Sequence, residues 1–203
     1  KNGVKASVLS FVPLNDNCEI SQLTLTNGSS EDKKLSVFSY VEWCLWNADD
    51  DMKNFQRNLS TGEVEVQDST IYHKTEYRER RNHYAIYSVN TKIDGFDTSR
   101  DAFLGAYRGA DSPEAVENGK CTNSMASGWS PIASHQINVD LAAGETKTFI
   151  FVLGYIENPE DEKWESYGVI NNTRAKEMLA KYQTDAQVEE AFAALQAYWK
   201  QLL

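Results

Sequence analysis

Cysteine is scarce, three in 203 residues, and the three lie far apart at Cys18, Cys44 and Cys121. An odd count at such spacing excludes a disulfide framework and a CxxC metal knuckle, and it predicts reduced, buried thiols in a cytoplasmic protein. Long apolar runs are missing, since no stretch approaches the roughly 18 residues that a membrane span needs. Positive charge is in deficit, 20 basic against 30 acidic residues for a net charge of −10. That balance argues against holding nucleic acid or an anionic membrane through overall charge. No charged-then-apolar leader opens the chain, and its first residue is Lys1 rather than Met, so Lys1 is expected to be a cut point. Internal repeats and low-complexity tracts are absent as well. What is present is an ordinary globular mixture, 41% hydrophobic and 25% charged. A chain of this length buries roughly 70% of its unfolded surface.

Residues 1–157 are rich in Val, Ile, Thr, Tyr and Phe between turn residues, which is strand character. Alternation over 4–12 ends at Pro13, and a second strand over 19–26 stops at Asn27-Gly28, a strong turn signal. The segment 35–45 is the longest strand candidate, with Leu35, Val37, Val41, Trp43 and Leu45 on one face and Phe38, Tyr40 and Cys44 on the other. Apolar residues on both faces predict a central strand covered on both sides. Shorter strands are expected at 63–67, 71–75, 84–89, 136–141 and 146–155. So many short strands without intervening helices predict a large antiparallel β-sandwich. From 90 to 134 the pattern lapses into Gly, Ser, Asp and Asn. A loop of that length is either functional or the cover of a sheet face.

The texture changes at Pro159. A helix is expected over 171–182, with Ala175, Met178, Leu179 and Tyr182 on one side. Thr184 then caps a second helix, with Gln187 at the capping-box position. Its stripe of Val188, Phe192, Leu195, Trp199 and Leu202 needs a surface to cover: this sandwich, a removed domain or another subunit. The expected organisation is a sandwich over 1–158 and a helical segment over 159–203.

Three clusters carry candidate chemistry. Residues 43–58 hold Trp43 and Trp46 followed by Asn47, Asn54, Gln56, Arg57 and Asn58. Aromatic rings cover the apolar faces of sugars while amides and Arg bond their hydroxyls, so this mix suits a carbohydrate; a strand end with core tryptophans gives the same composition. The run Asp49-Asp50-Asp51 lacks the Gly and distal Glu of a calcium loop and reads as a solvated turn. Residues 72–84 interleave Tyr72, His73, Tyr77, His83 and Tyr84 with Lys74, Arg78, Arg80 and Arg81, a set that suits phosphate or, with Glu76 and Glu79, mutual ion pairing. His73 and His83 lack a third ligand, so no metal site is expected. Residues 121–135 contain Cys121, Ser130 and His135 without a GxSxG elbow, which does not support a hydrolase. Asp94, Asp97 and Asp101 have the spacing of turn chemistry rather than of a facing carboxylate pair.

The stretches Phe11-Val12-Pro13-Leu14-Asn15, Asn54-Phe55-Gln56-Arg57-Asn58, Tyr72-His73-Lys74-Thr75-Glu76-Tyr77-Arg78-Glu79-Arg80-Arg81, Ile93-Asp94-Gly95-Phe96-Asp97 and Ser127-Gly128-Trp129-Ser130-Pro131-Ile132 closely resemble cellobiose phosphorylases of glycoside hydrolase family ninety-four, formerly glycosyltransferase family thirty-six. The resemblance implies a galactose-mutarotase-like β-sandwich, incomplete at its amino-terminal end, followed by a helical linker. It implies that an (α/α)₆ barrel elsewhere in the parent holds the general-acid Asp, so that no residue here is catalytic. It implies no cofactor, inorganic phosphate as co-substrate, a disaccharide such as cellobiose, and a homodimer in which the sandwich reaches the partner's cleft. Carried over on the motif, Asn47, Asn54, Gln56 and Arg57 are expected to line that partner's active site. The alternative is a free-standing carbohydrate-binding module.

Overall fold

The computed structural model describes residues 2–43, 62–74, 81–128 and 130–203. The candidate residues Asn47, Asn54, Gln56 and Arg57 lie outside this set, as do Cys44 and Trp129.

Two antiparallel sheets face each other. The larger joins β1 (Val4–Phe11), β2 (Cys18–Asn27), β11 (Thr146–Glu157), β7 (His83–Val89), β6 (Thr70–His73), β5 (Gly62–Gln67) and β9 (Ser127–Gly128), in that spatial order. The smaller is built on β10 (Pro131–Leu141), which pairs with β3 (Lys33–Phe38) and β4 (Val41–Glu42) on one side and with β8 (Gly95–Ser99) on the other. Period-two alternation sends Leu23, Leu25, Ala85, Tyr87, Val89, Phe149 and Phe151 of the larger sheet against Leu35, Val37, Ile137, Val139 and Leu141 of the smaller. This is the inter-sheet core, and it makes the protein the large antiparallel sandwich that its strand pattern predicts.

Each sheet carries a further layer outside. The larger is covered by α3 (Thr173–Leu179), a 3₁₀ turn (Ala180–Tyr182) and α4 (Asp185–Leu202). Ala175, Met178, Leu179, Tyr182 and Val188 pack there on Phe11, Ile20, Tyr72, Tyr84, Ile86 and Ile150. Gly154 of β11 lets α3 approach, because a Cβ at that position would stand 2.9 Å from Ile86 and 3.1 Å from the Met178 sulfur. The smaller sheet is covered by α1 (Arg100–Leu104) and α2 (Glu114–Glu117), through Phe103, Leu104, Ala115 and Cys121 on Ile132, Phe38 and Tyr40. The stretch 90–134 thus covers the outer face of the smaller sheet with its helices and also supplies β8, β9 and the first residues of β10.

Some expectations are corrected. The candidate strand 35–45 is interrupted at Ser39-Tyr40, and β3 and β4 pair only with β10 among the described residues, so it is not central in hydrogen bonding. Its two apolar faces are nevertheless both covered, by the inter-sheet core and by Phe103. Two-faced apolarity reports cover above and below a strand, and says nothing about its neighbours in the sheet. Asn27-Gly28 makes a crossing between the sheets, where the buried Asn27 amide donates to the carbonyls of Glu31, Leu141 and Ala142 at 2.8, 3.1 and 3.0 Å. A hairpin that the pattern does not announce, β12 (Trp164–Ser166) and β13 (Val169–Ile170), lies between the sandwich and α3.

Candidate functional site

The strand ends that flank the three sequence clusters come together at one end of the sandwich. Gly62 at the start of β5 pairs with Gly128 at the end of β9, and Val64 pairs with His73. The Lys74 amide donates to the Glu63 carbonyl at 2.9 Å, and His73 pairs with Ala85 near the start of β7. Glu42, at the end of β4, pairs with Ile132 beside the start of β10. Trp43 stacks on His73 with centroids 5.3 Å apart and planes 24° from parallel, tying the two sheets together at this end. The stems of 44–61 and 75–80, and the two neighbours of position 129, thus stand side by side. The four amide and guanidinium candidates belong to the first of those segments.

Charges at these stems are committed inward. Lys74, 9% exposed, pairs with Glu65 at 3.3 Å and donates to the Gly168 carbonyl. The same Glu65 carboxylate accepts from the Ile170 amide at 3.1 Å. Lys74 and Lys163 stand 5.7 and 5.0 Å from the Trp164 ring centroid, on which their charge is favourable. Of the two readings of the 72–84 cluster, Lys74 follows ion pairing, because a buried ammonium needs a carboxylate at hand. Burial, reinforced by the Lys163 charge, pushes the His73 imidazole down to about 4, so it is neutral at pH 7. His83 is engaged apart from it, with the Tyr155 hydroxyl and, at 3.5 Å, the Glu157 carboxylate. Among the described residues no group of three or more His, Cys, Asp or Glu side chains is arranged to hold a metal.

The third cluster is dispersed through the core. Cys121 is 1% exposed, and burial followed by the Asp97 charge pushes its thiol up to about 12. Cys18 is likewise buried, its thiol pushed to about 12 by burial and then by Asp16. Both are free. His135 is fully buried against the rings of Tyr87 and Phe151, which also stack on each other at 5.9 Å, and burial pushes it down to about 3. Its Nδ1 lies 3.3 Å from the Ser39 hydroxyl. Asp97 is a structural brace: one oxygen accepts from the Thr122 and Ser124 amides at 3.1 and 3.0 Å and from their hydroxyls at 2.7 and 2.8 Å. Asp94 accepts from the Asn138 amide at 2.6 Å, and Asp101 lies in the first turn of α1.

One feature has no sequence signal because distant segments make it. An open polar cleft of about 870 Å³ lies between the β1–β2 turn, the end of β11 and α3, lined by Asn15, Asn17, Asn82, Glu157, Arg174 and Lys181 among others. Its cations are engaged, Lys181 with Asp16 at 2.8 Å and Arg174 with the Glu157 carbonyl at 2.6 Å.

Residues 1–185 match the family model described as glycosyl hydrolase 94, supersandwich domain. The chain is 30% identical to an N,N'-diacetylchitobiose phosphorylase of Vibrio proteolyticus, over 98% of this chain and 23% of that protein. It is 27% identical to an N,N'-diacetylchitobiose phosphorylase of Vibrio furnissii, over 98% of this chain and 23% of the relative. A solabiose phosphorylase of Paenibacillus borealis is 27% identical, over 96% of this chain and 24% of the relative. The chain thus spans about a quarter of the length of the curated relatives it matches.

Proposed function

Because this chain belongs to the glycosyl hydrolase 94 supersandwich family, we propose that it serves as the non-catalytic sandwich domain of an inverting disaccharide phosphorylase. In this reading residues 1–158 are the sandwich domain and 159–203 a helical linker to an (α/α)₆ barrel in the same polypeptide. The protein is a cytoplasmic homodimer, and the sandwich end built by Trp43, Gly62, Lys74 and Gly128 faces the partner's cleft. The observation that carries the reading is the convergence of the motif-bearing stems at that end. It would let Asn47, Asn54, Gln56 and Arg57 act as one surface toward a sugar, amides and guanidinium bonding its hydroxyls.

The reaction is reversible phosphorolysis, with cellobiose as the first substrate to test. Inorganic phosphate attacks the anomeric carbon as the glycosidic bond breaks, and the barrel's acid gives its proton to the leaving glucose oxygen. One inversion yields α-glucose 1-phosphate and glucose. Phosphate is itself the nucleophile, so the base that a hydrolytic inverting enzyme needs for water has no counterpart. The domain's contribution is placement.

The test compares this chain with the longer polypeptide that carries it. The 203-residue chain should release no sugar phosphate from cellobiose or N,N'-diacetylchitobiose with phosphate, whereas the longer one should turn over at least one of them. In the longer enzyme Gln56→Ala and Arg57→Ala should lower kcat/KM by roughly tenfold or more with little change in Tm. Turnover by the short chain, or unchanged kinetics in both variants, would defeat the reading. Measurable sugar binding by the short chain alone would favour a free-standing binding module.

A further inference from the structure

One long sheet edge is left open. β1 pairs along all eight of its residues with β2, from Val4↔Asn27 to Phe11↔Ile20 without a bulge, and among the described residues no strand lies on its other side. It carries one charged side chain, Lys5, and no proline, and Val8 is 62% exposed. The other edges of the two sheets are short, guarded or covered. β9 and β4 have two residues each, and β3 carries Lys33 and Lys34 in ion pairs with Glu31 and Asp140. β8 is crossed by Asn123 and Ser124, which accept from the Phe96 and Thr98 amides at 3.0 Å each. A long, flat edge of unpaired backbone donors and acceptors is a template for a further strand.

The Gly28 amide donates to the Gly3 carbonyl at 2.8 Å, so Gly3 and Gly28 face each other as a hydrogen-bonded pair at the head of the β1–β2 ladder. Bonded and non-bonded pairs alternate along an antiparallel ladder. Lys5, Ser7, Leu9 and Phe11 therefore bond β2, whereas Val4, Ala6, Val8 and Ser10 turn their N–H and C=O groups to the open edge. Immediately before β1, Asn2 and Gly3 stand at φ +54° and +80°. Two consecutive positive φ angles on Asn-Gly are what a type I′ hairpin turn requires, and such a turn bonds the residue entering it to the residue leaving it, here Val4. Val4 has the parity that faces the open edge. Turn and ladder thus agree independently on one partner, the segment leading into Asn2-Gly3, folded back antiparallel on β1.

We propose that β1 is the second arm of a hairpin whose first arm is an extended strand of the longer polypeptide, as long as the eight residues of β1 and leading into the Asn2-Gly3 turn. The inference rests on the proposed function only in taking the chain as part of a longer polypeptide, which relatives about four times its length support. Phe11, Cys18 and Glu157 lie at the end of the larger sheet where the motif-bearing stems converge. The added strand starts opposite Phe11, so it delivers whatever precedes it to that same end. The test is hydrogen exchange, read at single amides by mass spectrometry, in the 203-residue chain and in the longer polypeptide. The amides of Lys5, Ser7 and Leu9 should exchange slowly in both. Those of Ala6, Val8 and Ser10 should exchange fast in the short chain and about a hundredfold or more slowly in the long one. Every second amide of the segment leading into the turn should slow with them. Fast exchange at Ala6, Val8 and Ser10 in both proteins overturns the proposal. So does protection of these amides in the short chain, which pairing with a second copy would make dependent on concentration. Protection in the long polypeptide without matching protection in the leading segment gives the edge to another strand and overturns it as well. The kinetics of Gln56→Ala and Arg57→Ala do not report on this edge, so this inference and the proposed function can each fail alone.

Discussion

At the scale of single residues, the two buried histidines make stability depend on pH. His135 stacks on Tyr87, with Ser39 Oγ 3.3 Å from its Nδ1, and its Nε2 meets no hydrogen-bond partner among the described residues. Its imidazole is held down to about 3, and that of His73 to about 4. Both sit below the ordinary unfolded value near 6.5, so between these limits the unfolded chain binds more protons. Stability is then complete above about pH 6.5 and falls as pH drops toward 4, approaching ~1.4 kcal/mol per pH unit for each histidine. Urea unfolding at pH 7.5 and 5.5 samples this window before most carboxylates titrate. The parent should lose roughly 2 kcal/mol across it, and His135→Phe, which keeps the stacking, about half of that. Equal losses in the two proteins would show that His135 does not couple to folding. The histidines were legible in the sequence as residues, but not as core residues. Burial of His135 follows from the pairing of β10 with both β3 and β8, which no local pattern encodes.

At the scale of elements, α4 shows what a stripe can and cannot tell. Thr184 and Gln187 form the reciprocal capping box that their spacing predicts, with contacts of 3.3 and 3.0 Å. Val188 is fully buried, and Phe192 meets Phe11 with ring centroids 5.2 Å apart. Farther along, Trp199 and Leu202 are 52% and 58% exposed. The stripe is one face by periodicity, yet the larger sheet covers only its first half. Val188→Ala should therefore cost about 2 kcal/mol, or roughly 4–8 °C in Tm, while Trp199→Ala should stay within about 0.5 kcal/mol. A Trp199 variant as damaging as the Val188 one would mean that the second half is packed in solution. Elements with strong local signals were placed nearly in full: β1, β2, β7, β11 and the two C-terminal helices. Those made by distant partners were not. β8 has no alternation and is fixed by Asp97 bonds across to Thr122 and Ser124, and the β12–β13 hairpin is fixed by Glu65 and Lys74. The candidate site was legible as motifs, whereas the convergence of their stems needed the sheet order.

At the scale of the whole molecule, two features oppose each other. Tyr198, Trp199, Leu202 and Leu203 leave an apolar patch at the end of α4, with Tyr198 and Trp199 in edge contact at 5.7 Å. Burying such a patch between two copies is favourable at about 25 cal/mol per Å² of apolar surface. The net charge of −10 on each chain resists that approach. The balance depends on ionic strength, because the screening length shrinks from about 10 Å at 0.1 M salt to about 3 Å at 1 M, while apolar burial is not screened. The isolated chain should then sediment as a monomer at low salt and associate weakly and reversibly as salt rises. Leu202→Glu, which puts a charge into the patch without touching the buried half of the stripe, should remove the association and leave Tm unchanged. Association that weakens with salt would point instead to the charged cleft lined by Asp16, Glu157, Arg174 and Lys181 as the contact. A monomer at every salt concentration would mean that the overhanging turns of α4 are too small a patch to bind a second copy, and that their cover must come from a larger surface.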